Sequence, residues 1–130
     1  MSEFSKALSL SSSALNAQST RLRHVSENIS NLDTPGYRRK VINFESTLAP
    51  ESDISLVSVG PVRLDDSEPE KIFDPAHPMA DASGHYAGSN VDLIIEIADA
   101  REAQRNYEAN LKIFDQTRQM SASLMELLKK

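Results

Sequence analysis

The stretch SENISNLDTPGYRRK, residues Ser26–Lys40, ends a helical pattern in polar residues and then turns the chain sharply. Pro35 cannot donate a helical hydrogen bond, and its ring keeps Thr34 out of the α region. The pair Pro35-Gly36 suits the central positions of a type II turn, because glycine adopts a positive φ without strain. We therefore predict that a helix ends near Leu32 and that a defined corner follows it.

The composition limits what the chain can do. It has 130 residues, 39% of them hydrophobic, and it contains neither Cys nor Trp. The lack of Cys excludes disulfides, thiolate catalysis and cysteine-bound metals. No run of about 18 apolar residues is present, so we expect no membrane-spanning helix. The N terminus lacks the layout of a cleaved secretory signal, so we expect any export to use another route.

The net charge of −5 conceals an uneven distribution. Residues 1–40 carry six Lys or Arg against three Asp or Glu, and residues 101–130 carry six against four. The middle, residues 41–100, carries two cations against twelve anions. Overall acidity argues against nucleic acid as the main partner, and the asymmetry indicates that the ends and the middle have different roles.

Repeats of seven residues predict two long helices. The N-terminal repeat places apolar residues at Leu8, Leu15, Leu22 and Ile29, but the companion positions include Ser11 and Gln18. A second helix is predicted from about Val91 to Leu128, capped near Ser89–Asp92. Its two repeats read Leu93, Ala100, Tyr107 and Phe114, and Ile97, Gln104, Leu111 and Met125, and the apolar face drifts toward Ile113, Met120, Leu124 and Leu127. We expect this stripe to be covered by the other helix or by other chains. At 1.5 Å per residue the second helix would measure about 57 Å against a width of about 36 Å for a compact chain, so we expect an elongated protein.

Between the helices the sequence is rich in turns. A β-leaning run around Gly60-Pro61 predicts two short strands, and Phe73 and Tyr86 are the expected anchors of the segment that follows. The predicted fold class is mainly α, with two long terminal helices that pair as a coiled coil. The predicted organisation is an N-terminal axial helix at 1–33, a turn-rich, β-containing middle domain at 34–90, and a C-terminal axial helix at 91–130.

One cluster in the middle segment resembles a metal site: Asp74, His77, Asp81 and His85. Two imidazoles and two carboxylates could hold a divalent metal, but their spacing matches no established ligand pattern. Pro75 and Pro78 favour a rigid turn instead. No nucleophile motif or phosphate-binding glycine loop is present, so an enzyme is not expected. A small metal-dependent enzyme that uses the cluster and a monomeric helical adaptor remain the two alternatives.

The opening stretch also resembles a known signature. NISNLDTPGYRR behind a heptad helix resembles the pattern shared by the axial proteins of the bacterial flagellum, which are the rod, hook and hook-associated families. The second half is similar to proximal rod subunits in its FDP, HP, AD and GH pieces. The SNVD helix start and the YEAN segment of the last helix agree as well. The resemblance covers nearly the whole chain.

This resemblance implies a structural subunit of the proximal rod of the basal body, without catalytic activity or cofactor. Such subunits assemble with copies of themselves and with other rod subunits into a hollow tube that transmits torque to the hook and filament. The resemblance further implies delivery to the periplasmic rod by the flagellar type III export apparatus, without a cleaved signal peptide.

The residues expected to carry this role fall into three sets. The subunit interface is predicted at Leu8, Leu15, Leu22, Ile29, Leu32, Tyr107, Leu111, Phe114, Met120 and Leu124. The turn of the family motif comprises Asn28, Asn31, Asp33, Thr34, Pro35, Gly36 and Tyr37. The cations behind it, Arg38, Arg39 and Lys40, are predicted to face the acidic middle segment of a neighbouring subunit, where such contacts could set the register.

Overall fold

The computed structural model describes residues 2–129. Met1 and Lys130, which bound the predicted segments 1–33 and 91–130, lie outside the described residues. Two helices pair, α1 (Glu3–Ser30) and α2 (Leu93–Leu128), and the region between them contains six short strands.

The first helix, α1, has a defined cap at each end. The hydroxyl of Ser2 accepts a hydrogen bond from the Ser5 amide at 3.1 Å, and Glu3 places a negative charge in the first turn, where the helix dipole favours it. At the other end, the Asn31 amide still donates to the Glu27 carbonyl at 3.1 Å. The predicted end near Leu32 is confirmed to within two residues.

The second helix, α2, begins where the sequence predicts. The carboxylate of Asp92 accepts a hydrogen bond from the Ile94 amide at 3.0 Å, which satisfies a free donor of the first turn. The helix then runs for 36 residues without Pro or Gly, or about 54 Å. Within residues 2–129, neither helix combines the length and the apolarity that a membrane span requires.

The two helices run antiparallel and meet along small and polar side chains. Near one end, Asn28 of α1 contacts Glu96 of α2. Near the other end, Phe4 lines an open groove together with Met120 and Leu124. The buried positions of the helices are Ser11, Ala17, Gln18, His24, Val25 and Asn28 on α1, and Glu96 and Ala103 on α2.

The predicted apolar repeat of α2 divides between covered and open positions, since Ala100, Tyr107 and Phe114 are half-buried. Leu93, Ile97 and Leu111 are about two-fifths exposed, whereas Ala103 is fully buried. Small side chains let the helix backbones approach closely. At position 96 the carboxylate of Glu96 can pair with a cation, which an apolar side chain such as leucine could not do. As a result, many of the large apolar residues of α2 remain exposed.

The strands form three antiparallel two-stranded sheets. Their bounds are β1 (Lys40–Val41), β2 (Phe44–Leu48), β3 (Ser55–Val59), β4 (Arg63–Leu64), β5 (Lys71–Phe73) and β6 (His85–Ala87). The predicted strands on either side of Gly60-Pro61 are β3 and β4, but each pairs with an earlier strand: β2 with β3, and β1 with β4. The sequence did not predict β1, β2, β5 or β6.

The middle region is attached to α1 through β3, where the Val57 amide donates to the Ser13 hydroxyl at 3.1 Å. The expected anchors of the β5–β6 sheet behave differently from each other. Tyr86 is half-buried and stacks on His77 with 3.8 Å between ring centroids. Phe73 is 65% exposed, so its predicted anchoring role is wrong. Its ring lies against His85 and Gly84 at the surface.

Candidate functional site

The corner after α1 is a type II turn, as predicted. Gly36 has a φ of 74°, and the Tyr37 amide donates to the Thr34 carbonyl at 3.1 Å. The Gly36 amide in turn donates to the carbonyls of Ala87 and Gly88 at 3.2 and 3.1 Å. The corner therefore joins the end of α1 to the segment that leads into α2.

Asn28 is the hub of this corner. Its side-chain oxygen accepts hydrogen bonds from the Tyr37 hydroxyl and from the Lys40 amide, each at 2.8 Å. Its side-chain nitrogen donates to the Lys40 carbonyl at 3.0 Å and to Glu96 at 3.3 Å. Asn28 is 1% exposed, and these four bonds use the full hydrogen-bonding capacity of its amide. Asn28 thus fixes the chain on both sides of the corner.

Arg39 links the corner to α2 through a buried ion pair. Its Nε donates to Glu96 at 2.6 Å, and its other nitrogens reach Asp65 at 3.2 Å and Asp99 at 3.3 Å. Glu96 is completely buried. Burial alone would lower the pKa of Arg39, but the hydrogen bond and charge of Glu96 outweigh it and raise that pKa above its usual value.

The other two cations also bind carboxylates of their own chain. Arg38 donates to the Asp65 carbonyl at 3.0 Å and pairs with the exposed carboxylate of Asp66. Lys40 pairs with Glu27 at 2.7 Å, and this hydrogen bond lowers the pKa of the Glu27 carboxyl. The sequence reading did not include these contacts within the chain. The predicted contact of the three cations with a neighbouring subunit stays a prediction.

The rest of the motif holds the corner closed. Asn31 accepts a hydrogen bond from the Thr34 hydroxyl at 3.1 Å and donates to the Glu27 carbonyl at 2.8 Å. The Ser89 hydroxyl donates to the Leu32 carbonyl. Asp33 is exposed and Pro35 is half-buried.

Asn90 holds the approach to α2. Its side-chain oxygen accepts from the Arg39 amide at 2.7 Å, and its nitrogen donates to the carbonyls of Asp65 and Ser67. Together these contacts define the motif corner, comprising Asn28, Tyr37, Arg39, Lys40, Asn90 and Glu96.

The residues predicted to form the subunit interface divide into half-buried and exposed side chains. Seven are half-buried: Leu8, Leu15, Leu22, Ile29, Leu32, Tyr107 and Phe114. Leu111, Met120 and Leu124 are 40%, 61% and 45% exposed. None of these ten side chains is fully buried within the chain, so all of them offer apolar surface to a neighbour.

The cluster of Asp74, His77, Asp81 and His85 serves local turns, the interpretation that Pro75 and Pro78 favour. Asp74 and Asp81 accept backbone hydrogen bonds from residues two positions ahead, at Ala76 and Ser83. His77 accepts from the Met79 amide at 3.1 Å. Among residues 2–129, no group of three or more His, Asp or Glu is arranged to hold a metal ion.

Sequence reasoning missed Glu96 and Asp99, which complete the site from α2. A signal was present, since Glu96 is the single charge in the apolar run Leu93–Ile97. A carboxylate in such a run is costly to bury unless a cation meets it.

Replacement of Gly36 by Val should destabilise the corner. A Cβ built at Gly36 meets no atom within 4 Å, so the cost comes from the backbone alone. An L-residue at a φ of 74° costs about 1–2 kcal/mol, and a β-branched residue is tolerated worst. Gly36→Asn is the control, because Asn accepts this conformation. Urea unfolding followed by circular dichroism should rank the stabilities as wild type, Asn, then Val; equal stability of the two variants would contradict the prediction.

The fold should lose stability in acid. Four carboxyl groups have pKa values below their usual ones. Lys40 lowers the pKa of Glu27, and Lys6 lowers the pKa of Asp53. The Ser67 amide and Arg39 lower the pKa of Asp65, and the Ser83 hydroxyl lowers the pKa of Asp81. Because each group binds its proton more weakly when folded, its contribution is present above about pH 4 and is lost as the pH falls through the folded pKa.

The urea concentration at which half of the protein is unfolded, measured from pH 7 to pH 2, should therefore decrease as the pH falls through this range. The Lys40→Met variant should show a smaller decrease, because its Glu27 has lost its cation. A midpoint that does not change with pH would contradict the assigned contacts.

Both helical ends match families of flagellar rod proteins. Residues 8–38 match the family described as "Flagella basal body rod protein", and residues 82–127 match "Flagellar basal body rod FlgEFG protein C-terminal". These two ranges include most of α1 with the Thr34–Tyr37 turn, and most of α2. These matches place the chain in the class of flagellar basal-body rod proteins.

Full-length relatives narrow the class. The flagellar basal-body rod protein FlgC of Agrobacterium fabrum is 44% identical, over 99% of this chain and 98% of its own. The FlgC proteins of Salmonella typhimurium and Bacillus subtilis are each 32% identical, over 91% and 93% of this chain and 92% and 95% of their own. The chain belongs to the FlgC family of flagellar basal-body rod proteins, which are structural and not enzymatic. Nothing in these relatives supports a metal-dependent enzyme.

Proposed function

We propose that this chain builds the proximal rod by packing α1 and α2 against copies of itself and against other rod subunits. The product is a hollow tube that transmits torque to the hook and filament. The terminal helices form the wall, and the strand-containing middle faces outward. The subunit reaches its place in the periplasm through the flagellar type III export apparatus, without a cleaved signal peptide.

One observation carries this proposal. Eleven large apolar side chains of α2 are exposed: Leu93, Ile94, Ile95, Ile97, Leu111, Ile113, Met120, Leu124, Met125, Leu127 and Leu128. Contiguous exposed apolar surface on a polar background marks an interaction site. The half-buried Leu8, Leu15 and Leu22 of α1 add to it. Covering this surface requires other helices, which neighbouring subunits supply.

The geometry of the helix pair supports a coiled coil and an elongated subunit. Buried positions recur every seven residues on both helices, at Ser11, Gln18 and Val25 and at Glu96 and Ala103. This is the spacing of a left-handed helix seam. The length of α2, about 54 Å, also exceeds the width of a compact chain of 130 residues, about 36 Å.

A cryo-EM map of basal bodies from a motile strain that carries this chain tests the proposal. We expect the chain in the proximal rod, α1 and α2 in the tube wall, and the strands outside. Leu111, Met120 and Leu124 should lie in contact with neighbouring helices. A map that lacks the chain, or that leaves these three side chains in solvent, would overturn the proposal.

A further inference from the structure

Three cations on the outer face of α2 are unpaired. Arg101, Arg105 and Lys112 are exposed, and steps of four and seven residues place them on one helix face, away from Glu96 and Ala103. No carboxylate of residues 2–129 lies within 4.0 Å of these three. Five other cations, by contrast, pair within the chain: Lys6, Arg21, Arg38, Arg39 and Lys40. The outer face of α2 also carries the exposed carboxylate of Glu108, but the part of this face at Arg101 and Arg105 presents two cations to a neighbour.

Two carboxylates with no cation partner within the described residues lie on a stiff arm between β4 and β5. Glu68 and Glu70 flank Pro69, and both are exposed. Pro69 restricts Glu68 to extended backbone. The backbone of Glu70 is held, because its amide donates to the Ser89 carbonyl at 3.3 Å and its carbonyl accepts from the Gly88 amide at 2.7 Å. This acidic arm, Glu68 to Glu70, is thus presented in a fixed direction.

The spacing of the two surfaces agrees. Residues two apart in an extended segment lie about 6.6 Å apart along the chain. Arg101 and Arg105 are separated by four helical residues, or about 6 Å along the axis. Two carboxylates of the arm can therefore meet two guanidiniums of the helix at the same time, which a flexible pair of acids would do at a greater entropic cost.

We propose that Glu68 and Glu70 of one copy bind Arg101 and Arg105 of the next copy. The arm and the helix face are different surfaces of the same chain, so the contact is head-to-tail, and such contacts propagate into rings or helical arrays. This contact rests on the proposed function, since it requires copies to lie side by side in the rod. It also provides the proposed assembly with a means of setting its register, because opposite charges that meet only in one relative position fix how two copies align.

Charge reversal tests this contact in a strain whose sole copy of the chain carries the change. One variant carries Glu68→Arg and Glu70→Arg, a second carries Arg101→Glu and Arg105→Glu, and a third combines all four. We expect each of the first two to weaken association between copies roughly tenfold or more, with fewer chains in purified basal bodies and reduced swimming. The third should recover both, and circular dichroism should show the same helicity for all three.

Two results would overturn the contact. The first two variants could assemble as the wild type does, or the combined variant could assemble no better than either, as it would if the cations met a different rod protein. The proposed function would fail in a distinguishable way, through absence of the wild-type chain from basal bodies.

Discussion

Replacement of Arg39 by Ala should destabilise the fold by about 3–5 kcal/mol, the cost typical of removing one partner from a buried ion pair. Glu96 is completely buried, and Arg39 supplies its only cation among the described residues. In the variant, Asn28 would be the only side chain left to donate to that carboxylate. The total free energy of unfolding of a domain of this size is about 5–15 kcal/mol, so the variant should unfold at a much lower urea concentration.

Two further variants isolate the buried charge as the cause. Arg38→Ala removes a cation that is 43% exposed and paired with an almost fully exposed carboxylate, so we expect a loss of at most about 1 kcal/mol. Combining Arg39→Ala with Glu96→Leu should recover stability relative to Arg39→Ala alone, because no unpaired charge remains buried. If Arg39→Ala is no worse than Arg38→Ala, the pair does not stabilise the fold.

Replacement of Leu111 by Asp should abolish incorporation into the rod while leaving the isolated chain folded. Leu111 is 40% exposed on a flank of α2, so a carboxylate there remains hydrated in the monomer, and the lost apolar contact costs about 1–2 kcal/mol of a total stability of about 5–15 kcal/mol. In an assembled rod the same carboxylate would be buried without a cation, at roughly 3–5 kcal/mol for each copy. Swimming in soft agar and the amount of the chain in purified basal bodies measure the effect.

Leu111→Met provides the matched control, because it keeps an apolar side chain of similar volume at the same position. This variant should swim and assemble as the wild type does. A strain that carries Leu111→Asp and swims normally would show that this flank of α2 does not face another subunit.

The sequence was sufficient to predict the helices and the corner, because their signals are local. Asp92, Pro35 and Gly36 act through their own backbone neighbourhood, and the structure places the cap and the turn at these residues. The strands β3 and β4 follow from the same kind of signal, a β-leaning run interrupted by Gly60-Pro61.

What the sequence could not specify depends on residues far apart in the chain. Arg39 and Glu96 are 57 positions apart, and no local pattern indicates that they meet. The apolar repeat of α2 also did not show which of its residues the chain itself covers, because a repeat shows which residues are apolar but not whether they are covered by the same chain or by another. In an assembling protein, the strongest apolar stripe can be reserved for the neighbour.

The distribution of apolar side chains on α2 has a consequence for the fate of unassembled chains. A subunit outside the rod presents eleven large apolar side chains to its surroundings, and such surface is what chaperones and proteases recognise in incomplete proteins. In the proposed rod, neighbouring helices cover that surface and the recognition signal disappears. The proposed packing would therefore let cells remove surplus subunits and keep those in the rod without a separate mark, since burial of α2 itself distinguishes the two pools.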